Sequence, residues 1–533
     1  MFILAYDFGT TGVKSCLFDV SDSVVKVDSA SQGYELHVLP DGGVEQDPDD
    51  WWQALVDTTR VLKKRNADAV EHVAGISFCS QLQSVVMVDE DMRPVHRSMS
   101  YMDQRAGAQM KRIAGRAPRI AGVNAAIALK SLRYTGAVAA SVKDPAWKYH
   151  WLKDNDADAF RRGHKWLDVK DALIARMTGQ ATMSEDSAFA TLLYDIKADP
   201  DSPRFHPEML KMLQVDPDHM PDIVKSTDQV GPLLEGPAAE MGVAPGIPVF
   251  SGGGDSALIG VGAGATAVGD THLYVGTSGW ASTVIEKPVV DVSAMIAGIV
   301  GAIPGRYNYF AELETAGKCL EWVRDHLALD EINIYLERTA VSEAPEDIRI
   351  ELYDYLSQVI GETRPGAGGV LFTPWLHGNR CPFEDSNARG MFIGISLTTG
   401  KRDMLRAVIE GICYHLRWFV ETQDKKVSTS SRIRFVGGGA LSPVTSQILA
   451  DVLQRPIDVV EHPQDVGAVG AALCAAAGLG AVNSTEEAAS LVEVIASYEP
   501  NTELKELYDD MFTTFKSLHP ANKKVFARLA HRP

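Results

Sequence analysis

The chain has 533 residues, 45% of them hydrophobic and 23% charged, with a formal net charge of −19 and a pI near 5.2. The length is too great for one core and implies two large domains. So acidic a field, with no local basic run to offset it, excludes nucleic acid and anionic membrane as partners; Lys63-Lys64-Arg65 is short enough to be a solvated helix end.

Residues 2–6 are an unbroken apolar run, the pattern of a strand covered on both faces. Asp7 then opens a turn, Gly9-Thr10-Thr11-Gly12, and residues 13–18 form a second β-leaning run. A Walker loop or a dinucleotide fingerprint would lead into a helix, and neither pattern is present. Two readings stand. The glycines and threonine hydroxyls could cradle a phosphate while Asp7 holds Mg²⁺ through its waters, or the segment is a plain hairpin with an exposed Asp.

From Gln46 an acidic first turn starts a helix whose apolar face runs to Lys64. Residues 73–78 form a strand leading to Ser80-Gln81-Leu82-Gln83, and residues 84–88 run on to a turn at 89–91. Polar side chains at that strand end suit a polyhydroxylated ligand or an ordinary loop. Residues 145–155 have the aromatic and leucine spacing of an amphipathic helix, with Trp151 in the core. Residues 166–178 are helical and stopped by Gly179. The run 200–232 reads as turns and short helices approaching a boundary near 247–251, which divides the chain into 1–247 and 248–533.

At that boundary residues 248–250 form a strand, and Ser251-Gly252-Gly253-Gly254-Asp255-Ser256 breaks it before an Ala/Gly-rich helix. Phosphoryl transfer needs a carboxylate to take the proton of the attacking hydroxyl, and Asp255 sits where glycines allow close approach. Asp is also a favoured N-cap, and the residues alone leave both roles open. Residues 262–267 fit the weak pattern G-x-G-x-x-A, but inside an apolar helical stretch without the required acidic partner they read as helix packing.

Residues 273–279, LYVGTSG, repeat the opening motif: an apolar strand into Gly276-Thr277-Ser278-Gly279, then another β-leaning run. Two such hairpins in two halves of one chain point to a duplicated fold that holds a polyphosphate between facing loops. Further on, residues 314–318 precede a helix, and residues 330–362 read as acidic, helical and solvated. Residues 433–436 form a strand, followed by Gly437-Gly438-Gly439-Ala440 and a helix over 443–453. A glycine turn opening a helix offers free N–H groups to an anion, or is simply a tight turn. A strand at 458–460 and a buried helix at 467–482 follow; the latter is too short and too rich in Gly and Ala for a membrane span. Residues 502–529 read as a pair of surface helices.

With these motifs in place, the chain resembles the FGGY family of carbohydrate kinases, of the actin-like, ribonuclease H-like superfamily, and is most similar to its xylulokinase group. Residues 390–410 satisfy the second FGGY signature at every constrained position. Residues 145–155 resemble the first, with Lys143 standing at its first position. LFTPWLHGNRCPFEDSNARGMFIGIS resembles the family's P-x-L-x-G-x-R-x-P loop, with Asn379 for the usual Glu, and residues 183–195 resemble the segment closing the substrate side.

The resemblance implies an α/β fold of two ribonuclease H-like domains around a cleft that takes ATP and Mg²⁺. Asp255 would be the general base and, with Asp7, would hold the metal. Gln81, Leu82, Gln83, Asp103 (in the segment Tyr101-Met102-Asp103), Asp255 and Ser256 would bind the sugar. Gly9, Thr10, Thr11, Gly12, Gly276, Thr277, Gly317, Gly437, Gly438, Gly439 and Ala440 would bind the nucleotide. Leu82-Gln83 stands where xylulokinases usually carry Met-His and glycerol kinases Arg-Glu, and Ser256 where pentulose kinases often carry Asn and glycerol kinases Gln.

The implied activity is ATP-dependent phosphorylation of a small sugar, with a ketopentose such as xylulose ahead of ribulose, erythritol or glycerol. The rival of another class is an actin- or chaperone-like ATPase, which would lack the cluster of Gln81, Gln83 and Asp103 converging with Asp255. A dinucleotide oxidoreductase rests on residues 262–267 alone. The expected partner is a small sugar or polyol, without nucleic acid or membrane, and a homodimer is allowed. Six scattered cysteines without C-x-x-C fit reduced, buried thiols in the cytoplasm and give no zinc site, and the opening residues lack the basic region of a signal peptide.

Overall fold

The computed structural model describes residues 1–120, 122–328 and 346–530. The first half begins with β1 (Phe2–Phe8), β2 (Gly12–Val20) and β3 (Val24–Gly33), consecutive antiparallel neighbours. After helix α1 (Pro48–Arg65), strand β4 (Val73–Ser80) returns parallel to β1. Helices α2 (Pro145–Asn155) and α3 (Val169–Thr178) follow, then β5 (Gln229–Pro232), β6 (Pro248–Phe250) and β7 (Gly253–Gly254). The sheet runs β5-β6-β4-β1-β2-β3, with β7 paired to β4. Thus the strand at 248–250, the expected opening of the second domain, is hydrogen-bonded into the first sheet.

Helix α4 (Asp255–Gly262) leads to the second sheet. Its strands are β8 (Thr271–Val275), β9 (Gly279–Ile285), β10 (Val290–Asp291), β11 (Ile296–Val300) and β12 (Tyr307–Leu313). After helix α5 (Lys401–Gln423) come β13 (Ile433–Val436), α6 (Pro443–Leu453), β14 (Ile457–Val460), α7 (Val466–Gly478), β15 (Val494–Tyr498) and α8 (Lys505–Ala530). The order is β10-β11-β12-β9-β8-β13-β14-β15. Both sheets therefore contain three antiparallel strands followed by parallel neighbours: β3-β2-β1-β4-β6 matches β12-β9-β8-β13-β14. The duplication expected from the two hairpins is a duplication of topology.

Both faces of β1 are covered, which is why its sequence does not alternate. Leu4, Tyr6 and Phe8 belong to the core that includes Trp51 and Leu55 of α1, whereas Ile3 and Ala5 belong to the one built with α4 and α7. On the far side of the molecule, α5, α6 and α8 cover the second sheet. Helices α4 and α7 cross at glycines: a Cβ on Gly262 would lie 1.9 Å from Val466 O, and one on Gly470 2.3 Å from Leu258 O. Such close contact leaves no room for larger side chains and explains the Ala/Gly composition. Lys14 of β2 and Lys26 of β3 each place Nζ 2.6 Å from the buried carboxylate of Asp465, just before α7, and so tie the two halves together.

Several expectations need correction. Residues 502–529 are not a helix pair but a short 3₁₀ turn and the single helix α8, which buries Tyr508, Phe512 and Phe515 in the second core. Residues 165–167 are a strand, so α3 is shorter than the sequence implied. Helix α4 ends at Gly262, so residues 263–267 lie beyond the helix. The acidic stretch 330–362 is helical at Glu346–Glu362, but Leu356, Val359 and Ile360 are buried, so this face is not solvated; residues 329–345 lie outside the described residues. All six cysteines are unpaired and buried, and no helix among the described residues is long and apolar enough to cross a membrane.

Candidate active site

Two cavities, each of about 340 Å³, meet at one turn. The β8–β9 turn closes through Gly276 N–H donating to Ser278 O at 3.0 Å. Gly276 and Thr277 line one cavity, whereas Ser278 and Trp280 line the other. A group held across this turn is therefore within reach of both.

Asp255 is the first residue of α4 and faces the second cavity. Its N-cap alternative does not hold: Gly254 occupies that position, and Asp255 Oδ1 accepts only the adjacent Ser256 N–H, at 2.7 Å. Desolvation pushes its carboxyl up to about 7, opposed by the Ser256 N–H and reinforced by the charges of Asp7, Glu312 and Asp186. The glycine run before it is shaped by contact. A Cβ on Gly254 would lie 2.3 Å from Leu82 Cδ1, and Gly254 N–H donates to Asp186 Oδ2 at 2.5 Å. Asp186 in turn accepts from Ser184 Oγ, which also receives the buried Lys170 Nζ at 2.8 Å.

Opposite Asp255, Gln81, Leu82 and Gln83 at the end of β4 line the same cavity, as does Ser256. Gln81 Nε2 donates to Gln46 Oε1 at 2.8 Å, and Gln46 Nε2 donates to Thr10 O at 2.7 Å, which fixes the β1–β2 turn relative to the cavity. Gln81 Oε1 is buried without a partner, an acceptor left without a donor. Asp103 does not line the cavity. It is fully buried, paired with Arg105 at 2.7 Å, and accepts Val44 N–H at 3.0 Å, so its carboxylate holds backbone and guanidinium together. Tyr101, two residues earlier, reaches the cavity instead and hydrogen-bonds Thr10 Oγ1 at 3.2 Å.

In the β1–β2 turn, Gly9 and Thr10 line the second cavity, whereas Thr11 and Gly12 line neither. Asp7 also lines neither: its carboxylate lies beneath the turn, against Gly467 at the start of α7. Desolvation raises its pKa, opposed by Lys14 and a hydrogen bond from Cys79 and reinforced by Asp465. Among the described residues no three His, Cys, Asp or Glu side chains are grouped to enclose a metal ion. Mg²⁺ does not need such a cage, since it keeps most of its waters and takes one or two carboxylates beside substrate phosphates. The mutually repelling acids Asp7 and Asp255 suit that coordination.

The first cavity is an apolar slot. Gly276, Thr277, Gly317, Gly438 and Gly439 line it, with Leu356 and Ile360 on one wall. Gly317 donates its N–H to Gly276 O at 2.8 Å, and a Cβ there would come within 2.2 Å of that oxygen. Gly437 and Ala440 do not line the slot. Gly437 turns the chain at φ +88°, where a Cβ would strike Val275 O at 2.6 Å, and Ala440 is buried. The glycine turn does not open directly into α6: residues Gly438–Leu441 form a 3₁₀ turn, and Ser442 caps α6 by accepting Thr445 N–H at 3.1 Å.

Residues 2–262 match the FGGY family of carbohydrate kinases, N-terminal domain, and residues 272–479 match the C-terminal domain of the same family. The chain belongs to the FGGY family of carbohydrate kinases. As an FGGY kinase it is a phosphotransferase that acts on a sugar, and kinases of this family use ATP. Its relatives include a xylulose kinase of Staphylococcus xylosus, 26% identical over 97% of this chain and 99% of that protein. A gluconokinase of Bacillus subtilis (strain 168) is 25% identical over 99% of this chain and 98% of that protein. Among solved structures, a ligand-bound xylulose kinase from Lactobacillus acidophilus superposes with a TM-score of 0.83 at 25% identity, covering 99% of each chain. This FGGY kinase also places Asp186, Glu312 and Arg380 on the second cavity. Asp186 and Arg380 lie in motif segments visible in the sequence, but Glu312, at the end of β12, carries no local signal.

Proposed function

We propose that this kinase transfers the γ-phosphoryl group of ATP to a hydroxyl of a neutral small sugar, a ketopentose such as xylulose, with Asp255 as the general base. The supporting observation is the charge of the acceptor cavity. Asp255, Asp186 and Glu312 line it, and the single lining cation among the described residues, Arg380, is engaged by Glu312 at 3.2 Å. A sugar acid such as gluconate would enter against this field, whereas neutral hydroxyls find Gln81 Oε1, Gln83 and Ser256 as partners.

In this reading the adenosine lies in the apolar slot and the phosphates cross the 276–279 turn. Thr10, Thr277 and Ser278 donate to the phosphoryl oxygens, and Asp255 takes the proton from the attacking hydroxyl. Asp7 and Asp255 would hold Mg²⁺, which would supply charge neutralisation on the phosphates. Closure of the halves about α4 and α7 excludes water, which would otherwise compete with the sugar. The unpaired cysteines favour a reducing, cytoplasmic compartment. Ile393, Ile395 and Leu397 are each exposed and offer apolar surface to a homodimer, which sedimentation would test.

The test is ADP release from Mg-ATP with xylulose, ribulose, erythritol, glycerol and gluconate. Preference for a neutral ketose or polyol supports the reading, and preference for gluconate overturns the argument from charge. ATP hydrolysis that no sugar accelerates would favour the conformational ATPase.

A further inference from the structure

The first FGGY signature segment, α2, contributes nothing to the transfer chemistry described above, yet it holds a lysine where a core residue belongs. Lys148 is fully buried, and its Nζ donates to Gln83 O at 2.6 Å and Ser100 O at 2.9 Å. These carbonyls belong to the two loops that present Gln83 and Tyr101 to the acceptor cavity. One ammonium group therefore joins both polar walls of the site.

The other side of the Gln83 loop is held by Asp168, itself almost fully buried. Its Oδ2 accepts Gln83 N–H at 2.8 Å, and its Oδ1 accepts Ser84 N–H at 3.1 Å and Val169 N–H at 2.9 Å. A helix cap would serve only its own helix, whereas one oxygen here serves Gln83. That residue needs the support, because its φ of +65° is a left-handed conformation that residues other than glycine rarely adopt. Desolvation drives the Lys148 amine down to about 8 and the Asp168 carboxyl up to about 7. A fold that needed only volume would fill these positions with apolar side chains and avoid that cost.

We infer that Lys148 and Asp168 are positioning residues for the acceptor sugar: they clamp Gln83 from its carbonyl and amide sides and set its spacing from Tyr101. The inference rests on the reading of this cavity as the sugar site. A misplaced hydrogen-bonding wall weakens sugar recognition without touching the nucleotide slot on the other side of the 276–279 turn.

The experiment compares Lys148→Met, which keeps length and removes the charge, with Asp168→Asn, which keeps one acceptor oxygen. Lys148→Met is expected to raise the sugar KM at least tenfold and leave the ATP KM within twofold. Asp168→Asn is expected to give a smaller rise in the same direction, and Asp168→Ala a larger one. An unmoved sugar KM in either folded variant, or equal rises in the sugar and ATP KM, overturns the inference; if Lys148→Met fails to fold, Asp168→Asn decides. Failure of the underlying reading is distinguishable, because the unsubstituted enzyme would then show no sugar-dependent ADP release, and the inference would fall with it.

Discussion

The carboxylate of Asp7, in the last turn-ward half of β1, lies against the backbone of Gly467 in the first turn of α7. A Cβ on Gly467 would come within 2.5 Å of Asp7 Oδ2 and 2.9 Å of Cys79 Sγ. Residues 460 positions apart thus share one van der Waals surface, and the N-terminal end of a helix from the second half faces an acid of the first whose pKa burial raises.

That contact makes Gly467 a sensitive position. Gly467→Ala forces the Asp7 carboxylate or the helix to move. It should lower stability by about 1–3 kcal/mol, as overpacked sites do, and raise the Mg²⁺ concentration needed for half-maximal turnover. Thermal melting and Mg²⁺ titration of activity check the two effects separately.

Asp7→Ala removes the carboxylate while leaving the acceptor cavity intact. The expected outcome is a loss of Mg²⁺-dependent activity much larger than any change in sugar KM. Mg²⁺ dependence equal to that of the unsubstituted protein would remove Asp7 from the metal role.

For the proposed base, Asp255→Asn keeps shape and hydrogen bonding but cannot accept the proton. Turnover should fall by about 10²–10⁴-fold, the usual contribution of general acid–base catalysis, while ADP binding measured by calorimetry stays within about twofold. Near-normal turnover would exclude Asp255 as the base.

The pH profile follows from the same carboxyl. Without bound Mg²⁺ desolvation raises its pKa to about 7, so at low Mg²⁺ the proposed base would be protonated below that pH. The kcat/KM for sugar at low Mg²⁺ should therefore fall about tenfold per unit as pH drops below about 7, and Asp255→Asn should lack that limb. An acidic limb centred near 4 at low Mg²⁺ would mean that the acid is not desolvated in the working enzyme.

Between the two halves, Asp465→Asn leaves Lys14 and Lys26 facing one another without their shared counter-charge. Both ammonium groups retain some contact with water, so the expected cost is about 2 kcal/mol, below that of a fully buried broken pair. In the folded protein desolvation opposes ionisation of Asp465, but the two lysines outweigh it and its pKa is lowered. Its stabilising contribution is therefore complete above the ordinary carboxylate pKa and is lost as pH falls through the lower folded value. Acid titration of unfolding in both proteins checks the sign.

Local signals carried much of the site. Three glycines and a helix start drew attention to Asp255, though the residues alone left base and N-cap both open, and the repeated turn pointed to Gly276 and Thr277, which line the slot. Asp103 was misplaced because its neighbours in sequence say nothing of Arg105 folding back onto it or of Val44 N–H arriving from a distant strand. The helix at Glu346–Glu362 was read as solvated because its composition is acidic, although Leu356 and Ile360 form a wall of the apolar slot. The strand that brings Val44 N–H to Asp103, and the other walls of the slot lined by Leu356 and Ile360, come from distant parts of the chain.

By itself, the amino-acid order determined the two strand-turn-strand units and the glycine-flanked acid, because apolar runs and turn residues act on the backbone within a few positions. Only the tertiary structure decided that Asp7, Asp186 and Glu312 lie close enough to act on the desolvated Asp255 and that a single turn divides the two cavities. Desolvation and charge repulsion depend on distance through space, and here that distance is set by two sheets packed across α4 and α7.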